Sequence, residues 1–376
     1  MLHLNKIILT QFKNYKSDSF EFKERITGIC GFNGKGKTNL LDAIYYLCFT
    51  KSYFSKSDLL NVQFNADGFR IEGDLTQTPV YSGTGGLSID EGFKENFNVV
   101  SIFRGAGKKE VLVNDVAYEK FSSHIGKFPC VMVAPDDIEM ITGGSEQRRR
   151  FIDTVLSQMD AGYLQQLIIY NKVLLQRNSL LKSFADQKNR DMQLLQVLDS
   201  QLQQPGEDIY KKRKDFLENL IPLAKDFYFQ IAGNNEVIDL NYESQLNENT
   251  FQEVLDRSKD RDIFSQRSTA GIHKDDLGSQ LNGKPFKAVA SQGQKKSLLF
   301  ALKLAEFEML KENKGFAPLL LLDDVFEKLD DLRMQNLLQW VCVNNESQVF
   351  ITDTHLERLR TSLNNFGFTS EIIELK

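Results

Sequence analysis

The sequence predicts an α/β fold of two lobes, and three observations carry that prediction. A strand-like stretch runs straight into the glycine-rich GFNGKGKT at residues 31–38. A second apolar strand, PLLLLDD, ends in Asp323 and Asp324. Between them the pattern changes near Thr142, from short alternating segments to long helical ones. The expected organisation is a head of mixed β-sheets with helices, built from residues 1–141 and 237–376. Residues 142–236 form a mainly helical second lobe inserted between those two parts.

The elements follow in order. LHLNKIIL and then SFEFKERITGICG alternate apolar and polar residues, as the two strands of a hairpin do, and the second leads into residue 31. NLLDAIYYLCF comes next, with Leu40, Leu41, Ile44, Leu47 and Cys48 at helical spacing. FRIEGDL, NVVSIF and EVLVNDV, separated by turns, predict a meander of strands over 69–120. From Arg148 to about Ala232 the chain is rich in Gln and Leu. There Leu164, Leu167, Ile168, Asn171, Leu174, Leu175, Asn178 and Leu181 fall on one helix face. Pro205-Gly206 and Pro222 punctuate the remainder. Strand-like, turn-rich sequence resumes near residue 237 and leads to AGIHKDDL. A helix after SQGQ, the strand PLLLLDD, a helix over LDDLRMQNLLQWVCVN and the strand QVFITDT complete the chain. Heptads are not sustained anywhere, which excludes a long coiled coil.

Composition narrows the class. The 376 residues are 41% hydrophobic and 26% charged, the balance of a globular protein with a substantial core. The N-terminus lacks a signal-like apolar core, and the longest apolar run is too short to span a bilayer, so no membrane partner is expected. Four scattered cysteines without a CxxC argue against a zinc site and for a reducing, cytoplasmic compartment. A net charge of −5 means that any nucleic-acid contact must come from a local basic surface.

Three short stretches carry chemistry. Gly31, Phe32, Asn33, Gly34, Lys35, Gly36, Lys37 and Thr38 fit G-x-x-x-x-G-K-[ST], with Asn39 following in the helix. Glycines let successive backbone N–H groups face the phosphates of ATP, and the helix N-terminus adds its positive dipole end. Lys37 is expected to reach the β- and γ-phosphates and Thr38 to ligate Mg²⁺. Asp323, at a strand end, is the expected second metal ligand, and Asp324 stands where a catalytic acid polarises the attacking water. In the third stretch, Ser291, Gln292, Gly293 and Gln294 read locally as a capping box ahead of a helix with Leu298, Ala301, Leu302 and Ala305 on its buried stripe.

The order of these pieces, closed by the Leu329-Asp330-Asp331 turn and a strand ending near a histidine, resembles the head of an ABC-type ATPase. In that class the signature turn contacts the nucleotide of an opposing subunit. The resemblance therefore gives Ser291, Gln292, Gly293 and Gln294 a second role in trans and implies a homodimer that closes on ATP. The stretches GFNGKGKTNLLDAIY, RRRFID, YNKVLLQRNSLLK, GIHKDDL, SQGQKKSLLFALKLAE and LLLLDDVFEKLDDLR, in this order, resemble the RecF family of bacterial recombination mediators. That resemblance covers nearly the whole chain. It implies binding to double-stranded DNA near single-strand/duplex junctions and slow, DNA-dependent ATP hydrolysis. It also implies cooperation with RecR and RecO in loading RecA.

The resemblance also brings forward Lys13 as a basic residue near the nucleotide, against its reading as a solvated hairpin lysine. His355, in TDTH, reads either as a switch histidine or as a helix cap. Three departures stand out. Asp324 occupies a place where many ABC ATPases have Glu, Glu327-Lys328 replaces the more usual Ser-Glu, and Gly271-Ile-His273-Lys274-Asp275-Asp276 replaces a GPHRDD-like stretch that serves as a turn or as a contact site. The candidate DNA contacts are Arg104 with Lys108 and Lys109, and Arg148, Arg149 and Arg150. Lys211-Lys212-Arg213-Lys214 is a further basic run. The competing classes are a transporter nucleotide-binding subunit, whose signature lies nearer its P-loop, and a chromosome-organising ATPase, which needs a long coiled coil. For an ordinary P-loop kinase or GTPase, SQGQ and the paired aspartates would be coincidences.

Overall fold

The computed structural model describes residues 1–78, 94–105, 107–184, 190–233, 236–326, 329–364 and 369–376. It divides into two compact units. The first comprises Met1–Asp137, Phe227–Gly233 and Phe300–Lys376, and the second Ile138–Asp226 and Asn234–Leu299.

The first unit opens with β1 (Leu2–Phe12) and β2 (Tyr15–Glu21), an antiparallel hairpin with Phe12 opposite Tyr15. The expected second strand is in fact two. Only its first half stays in the hairpin, and ITGIC forms the separate β3 (Ile26–Cys30), every residue of which is buried. A strand buried on both faces belongs in a parallel sheet, whereas the alternating β2 keeps one side to solvent. After β3 comes α1 (Lys37–Phe49), then β4 (Gly68–Gln77), β5 (Glu95–Arg104), β6 (Lys108–Val113), β7 (Val116–Ala117) and β8 (Cys130–Val133). The expected meander is the sheet β2-β1-β4-β5-β6-β7. α1 touches β4 and β5 of that sheet and also β8, so it is buried nearly all round: Tyr45, Tyr46 and Phe49 are as enclosed as Leu40 and Ile44.

The second unit contains α2 (Glu139–Thr142), α3 (Ser145–Met159), α4 (Ala161–Ser183), most of α5 (Met192–Ala232), β9 (Ile238–Glu243), α6 (Phe251–Ser265), β10 (Asp276–Leu281), β11 (Lys284–Pro285), α7 (Phe286–Val289) and the start of α8 (Gln292–Lys314). It extends beyond the expected 142–236 because the β9–β10 pair packs with the helices, β10 against α3. α6 was not expected. Its start is a capping box of Thr250 and Glu253, a T-x-x-E signal readable in the sequence.

Two further expectations change here. The buried face of α4 is Tyr163, Tyr170, Val173, Arg177 and Leu181, while Leu175 is exposed. Arg177 is enclosed because Asp199 and Asp262 pair with it, which apolar periodicity cannot reveal. α5 runs unbroken through Pro205 and Pro222. Gly206 is needed there, since a Cβ on it would stand 2.2 Å from the Phe251 ring.

The chain then adds β12 (Leu319–Leu322), α9 (Asp331–Gln339), β13 (Val349–Asp353), α10 (Leu356–Asn364) and β14 (Ser370–Glu374) to the first unit. The resulting parallel sheet, β14-β3-β13-β12-β8, brings the ends of β3, β12 and β13 side by side. Ligand sites in parallel sheets form at such strand ends. Among the described residues no helix is long and apolar enough to cross a membrane.

Candidate nucleotide site

β3 delivers the chain into residues 31–36, and α1 leaves from Gly36. Gly36 has φ 101°. A Cβ there would lie 2.5 Å from Asn14 Nδ2 and 2.9 Å from the Tyr15 hydroxyl, so glycine is required by backbone and by space. Lys37 Nζ donates to the carbonyls of Gly31 at 2.6 Å and Phe32 at 3.3 Å, which holds the ammonium inside the loop's curl.

Asp323 follows β12, and its backbone N–H continues the ladder to Val133. Thr38 Oγ1 donates to Asp323 Oδ2 at 2.8 Å, and Thr352 Oγ1 donates to Oδ1 at 2.7 Å. Burial pushes the Asp323 carboxyl above the usual carboxylate range. The Thr352 and Thr38 hydroxyls pull it back, and neighbouring Asp324 adds to the rise. Thr352 Oγ1 also accepts the backbone N–H of Asp324 at 2.8 Å, so one hydroxyl orients both acids. Asp324 itself has φ 49°, a left-handed conformation that costs a non-glycine residue about 1–3 kcal/mol and concentrates at functional sites.

These groups surround a cleft of about 210 Å³, lined by Asn33, Gly34, residues 36–39, Asp323, Asp324 and Thr354. That is below the roughly 300–1,000 Å³ of a pocket that encloses a whole small molecule. Hard oxygen donors on Thr38 and Asp323, already within hydrogen-bond distance of each other, are the donor set that suits Mg²⁺. Among the described residues no group of three or more His, Cys, Asp or Glu gathers to hold a metal on its own.

Several expected residues are placed elsewhere. Lys13 stands in an ion pair at 2.5 Å with the fully buried Asp42, which also accepts from Ser52 Oγ and Tyr53 N. The basic residue of the first hairpin is thus committed to α1, and its neighbours reach the loop instead. Tyr15 OH donates to Gly36 O at 2.9 Å, Asn14 Nδ2 to Lys35 O at 3.3 Å, and Asn14 Oδ1 accepts from Asn39 at 2.7 Å. The sequence gives no sign of these two roles beside Lys13, nor of that of Thr352. His355 is exposed, and its backbone N–H donates to Asp353 Oδ1 where α10 begins. Glu327 and Lys328 lie outside the described residues.

The signature turn belongs to the second unit. Ser291 N donates to Gln294 Oε1 at 2.7 Å and Gln294 N to Ser291 Oγ at 3.2 Å, a complete capping box. Ser291 and Gln292 are exposed, and a Cβ on Gly293 would meet nothing within 4 Å, so packing within the chain does not explain that glycine.

The basic runs separate into structural and available cations. Lys109 bonds to Asp58 at 3.0 Å and to Thr50 O, and lies over the Tyr46 ring. Arg148 grips Asp276 through two bonds, and Arg149 donates to Asp275 O at 2.6 Å. Arg213 is buried between Asp153 and Asp275. Arg104 pairs with Glu110 at 2.5 Å on the surface, and Lys108 and Arg150 are exposed. Sequence runs of positive charge are therefore a poor guide here, since many of their members hold the fold together.

A family model described as the RecF/RecN/SMC N terminal domain matches residues 3–372. The DNA replication and repair protein RecF of Flavobacterium johnsoniae is 40% identical over 374 residues, covering 100% of both chains. This chain belongs to the RecF family. RecF of Bacteroides thetaiotaomicron is likewise 40% identical over 369 residues, covering 97% of this chain and 94% of its own. Among solved structures, the recombination mediator protein RecF with ATP, of the RecFOR pathway, is similar at a TM-score of 0.83 and 30% identity, covering 94% of this chain and 92% of that one. An Smc head domain with an extended coiled coil from Pyrococcus furiosus is similar at a TM-score of 0.55 and 17% identity, covering 100% of this chain and 94% of that one. That second likeness concerns fold alone. The fold of this RecF-family chain is the ABC-type ATPase head that its motif order implied.

Proposed function

We propose that this RecF-family chain is an ATP-dependent DNA-binding protein of recombinational repair and replication restart. In this reading ATP closes two copies into a dimer, and slow hydrolysis opens it again. The observation that carries the reading is the Thr38–Asp323 hydrogen bond beneath the phosphate loop, with Asp324 fixed beside it. The backbone of 31–38 and the Lys37 ammonium bind the phosphates. Thr38 and Asp323 would hold Mg²⁺, which when bound would supply positive charge beside the phosphoryl oxygens. Asp324 orients the attacking water and accepts its proton. The exposed Ser291 and the unpacked Gly293 are supplied to the cleft of a second copy, which supports a site completed in trans.

DNA-binding near a single-strand/duplex junction, work with RecR, RecO and RecA, and a cytoplasmic location follow from the family. They agree with a chain that has no membrane-crossing helix among the described residues.

The test measures ATP binding and ATP-driven self-association, by nucleotide titration and sedimentation, for the wild type, Lys37→Arg and Ser291→Arg. Ser291→Arg is expected to bind ATP as a monomer and to lose dimerisation, and Lys37→Arg to lose both. Weakened ATP binding by monomeric Ser291→Arg would place that serine in its own chain's pocket and end the in-trans reading.

A further inference from the structure

One surface of the second unit gathers cations from separate stretches of sequence. α6 ends at Ser265, and Gln266, at φ 54°, turns the chain back so that Arg267 N donates to Asp262 O. The returning segment is pinned to α6: Thr269 N and Oγ1 donate to Asp262 Oδ1, and Arg261 Nε donates to Thr269 Oγ1 at 2.7 Å. His273 is clamped between the Tyr170 hydroxyl and Ser268 O, and burial holds its pKa at about 4, so it stays neutral. Lys274 follows, and Arg149 of α3 is tied to the next carbonyl, that of Asp275.

Three acids of this region are taken up by cations of the fold, while Asp256 and Asp260 on α6 are exposed. Asp262 is fully buried on Arg177, Asp275 is held by Arg213 and Tyr242, and Asp276 is held by Arg148. Among the described residues none of Arg149, Arg261, Arg267 and Lys274 has a carboxylate at ion-pair distance, and the last three are exposed. The crowding registers on Lys274: burial, then Arg267, Arg149 and Arg261, push its ammonium below the usual lysine range. Phe264 lies three residues from Arg261 on α6, hence on the same face, and is 89% exposed.

We propose that Arg149, Arg261, Arg267 and Lys274 form the DNA-binding surface of the second unit, taking phosphates of the duplex, while Phe264 offers its ring to an unpaired base beside it. The chemistry selects this ligand. Guanidinium forks and an ammonium without a carboxylate at ion-pair distance bind phosphates without reading sequence, and an exposed aromatic ring adds stacking that only an unstacked base can use. The surface thus fits a single-strand/duplex junction. The inference rests on the DNA-binding reading above and joins Arg149, from the run at 148–150, to three cations that lie in no basic run.

The experiment titrates the full chain, with ATP and Mg²⁺, into labelled blunt duplex and gapped duplex over a range of salt. Arg267→Gln/Lys274→Gln is expected to weaken both DNAs roughly ten- to a hundredfold and to lower the salt slope by about 2, near one for each phosphate that is no longer neutralised. Phe264→Ala should weaken gapped DNA alone, by roughly five- to a hundredfold. Lys211→Gln/Lys214→Gln removes the same charge from exposed positions of α5 and should stay within about twofold of wild type. Equal losses in the two double variants would mean that net charge alone is at work, and would overturn the surface. Wild-type DNA-binding in Arg267→Gln/Lys274→Gln would also overturn it, including when that variant loses an acidic protein partner instead. Equal loss on blunt and gapped DNA in Phe264→Ala, or no loss at all, would remove the base platform. Failure of the wild type to bind either DNA would remove the DNA-binding reading and this inference together.

Discussion

Replacing Tyr15 by Phe removes one hydroxyl and leaves the ring in place against Phe20, 5.7 Å away in edge contact. The hydrogen bond removed is the one to Gly36 O, a carbonyl that also accepts the Leu40 N–H of α1 at 2.9 Å. Because the acceptor keeps a partner, no buried group is orphaned, and the net loss is about 0.5–1.5 kcal/mol. The hydroxyl braces the outer side of the phosphate loop, so the loss should appear in nucleotide binding as a fall in ATP affinity of roughly two- to tenfold. The ligand-free protein should lose no more than about the same 0.5–1.5 kcal/mol in stability. Asn14→Ala attacks the same brace through longer or more exposed bonds, and the double variant should deviate from additivity because both act on residues 35–39. Nucleotide titration and thermal melts of the four proteins decide the matter. Unchanged ATP affinity with a lowered melting temperature would show that Tyr15 supports the fold and not the loop. A loss beyond about a hundredfold, some 2.7 kcal/mol, would exceed one such bond and point to direct contact with the nucleotide.

Two further outcomes follow from the buried charges. The raised pKa of Asp323 means that the fold favours its protonated form, so the contribution to stability present at low pH is lost as pH rises through that raised value. Asp323→Asn should therefore melt at or above the wild-type temperature at neutral pH while losing Mg²⁺-dependent ATP binding, and melts against pH without nucleotide will show whether that slope disappears. Arg213→Met leaves the buried Asp275 and the half-buried Asp153 without their cation and should cost about 3–5 kcal/mol in urea unfolding. A loss near zero would mean that the two acids do not depend on the Arg213 cation.

The phosphate loop, the paired aspartates and the capping box were legible because each is a run of consecutive residues whose chemistry demands that spacing. Thr352 was not, since its role exists only because parallel pairing sets Leu322 beside Ile351, one residue before it. Tyr15 was hidden behind Lys13, the more conspicuous residue of the same turn. Arg148 and Arg213, members of basic runs, and Arg177 of α4 all find carboxylates far away in sequence, and composition does not show which charges will be paired. α4 was assigned the wrong face for the same reason, because a buried arginine looks polar in any periodicity. α5 ignored its prolines because proline's φ is helical, and a long helix tolerates the loss of single N–H groups when packing holds it.

The left-handed backbone at Asp324 limits which acid that position can carry. Aspartate is among the few residues with a β-carbon that enter this region readily, because its short side chain can bond locally. A longer glutamate gains reach toward a phosphate but loses that local compensation. The departure from the commoner glutamate is thus in part a conformational choice, coupled to Thr352 holding the same N–H. A change to glutamate would have to move the turn before the longer acid could be seated, so main-chain dihedrals as much as carboxylate chemistry decide which acid stands beside Asp323.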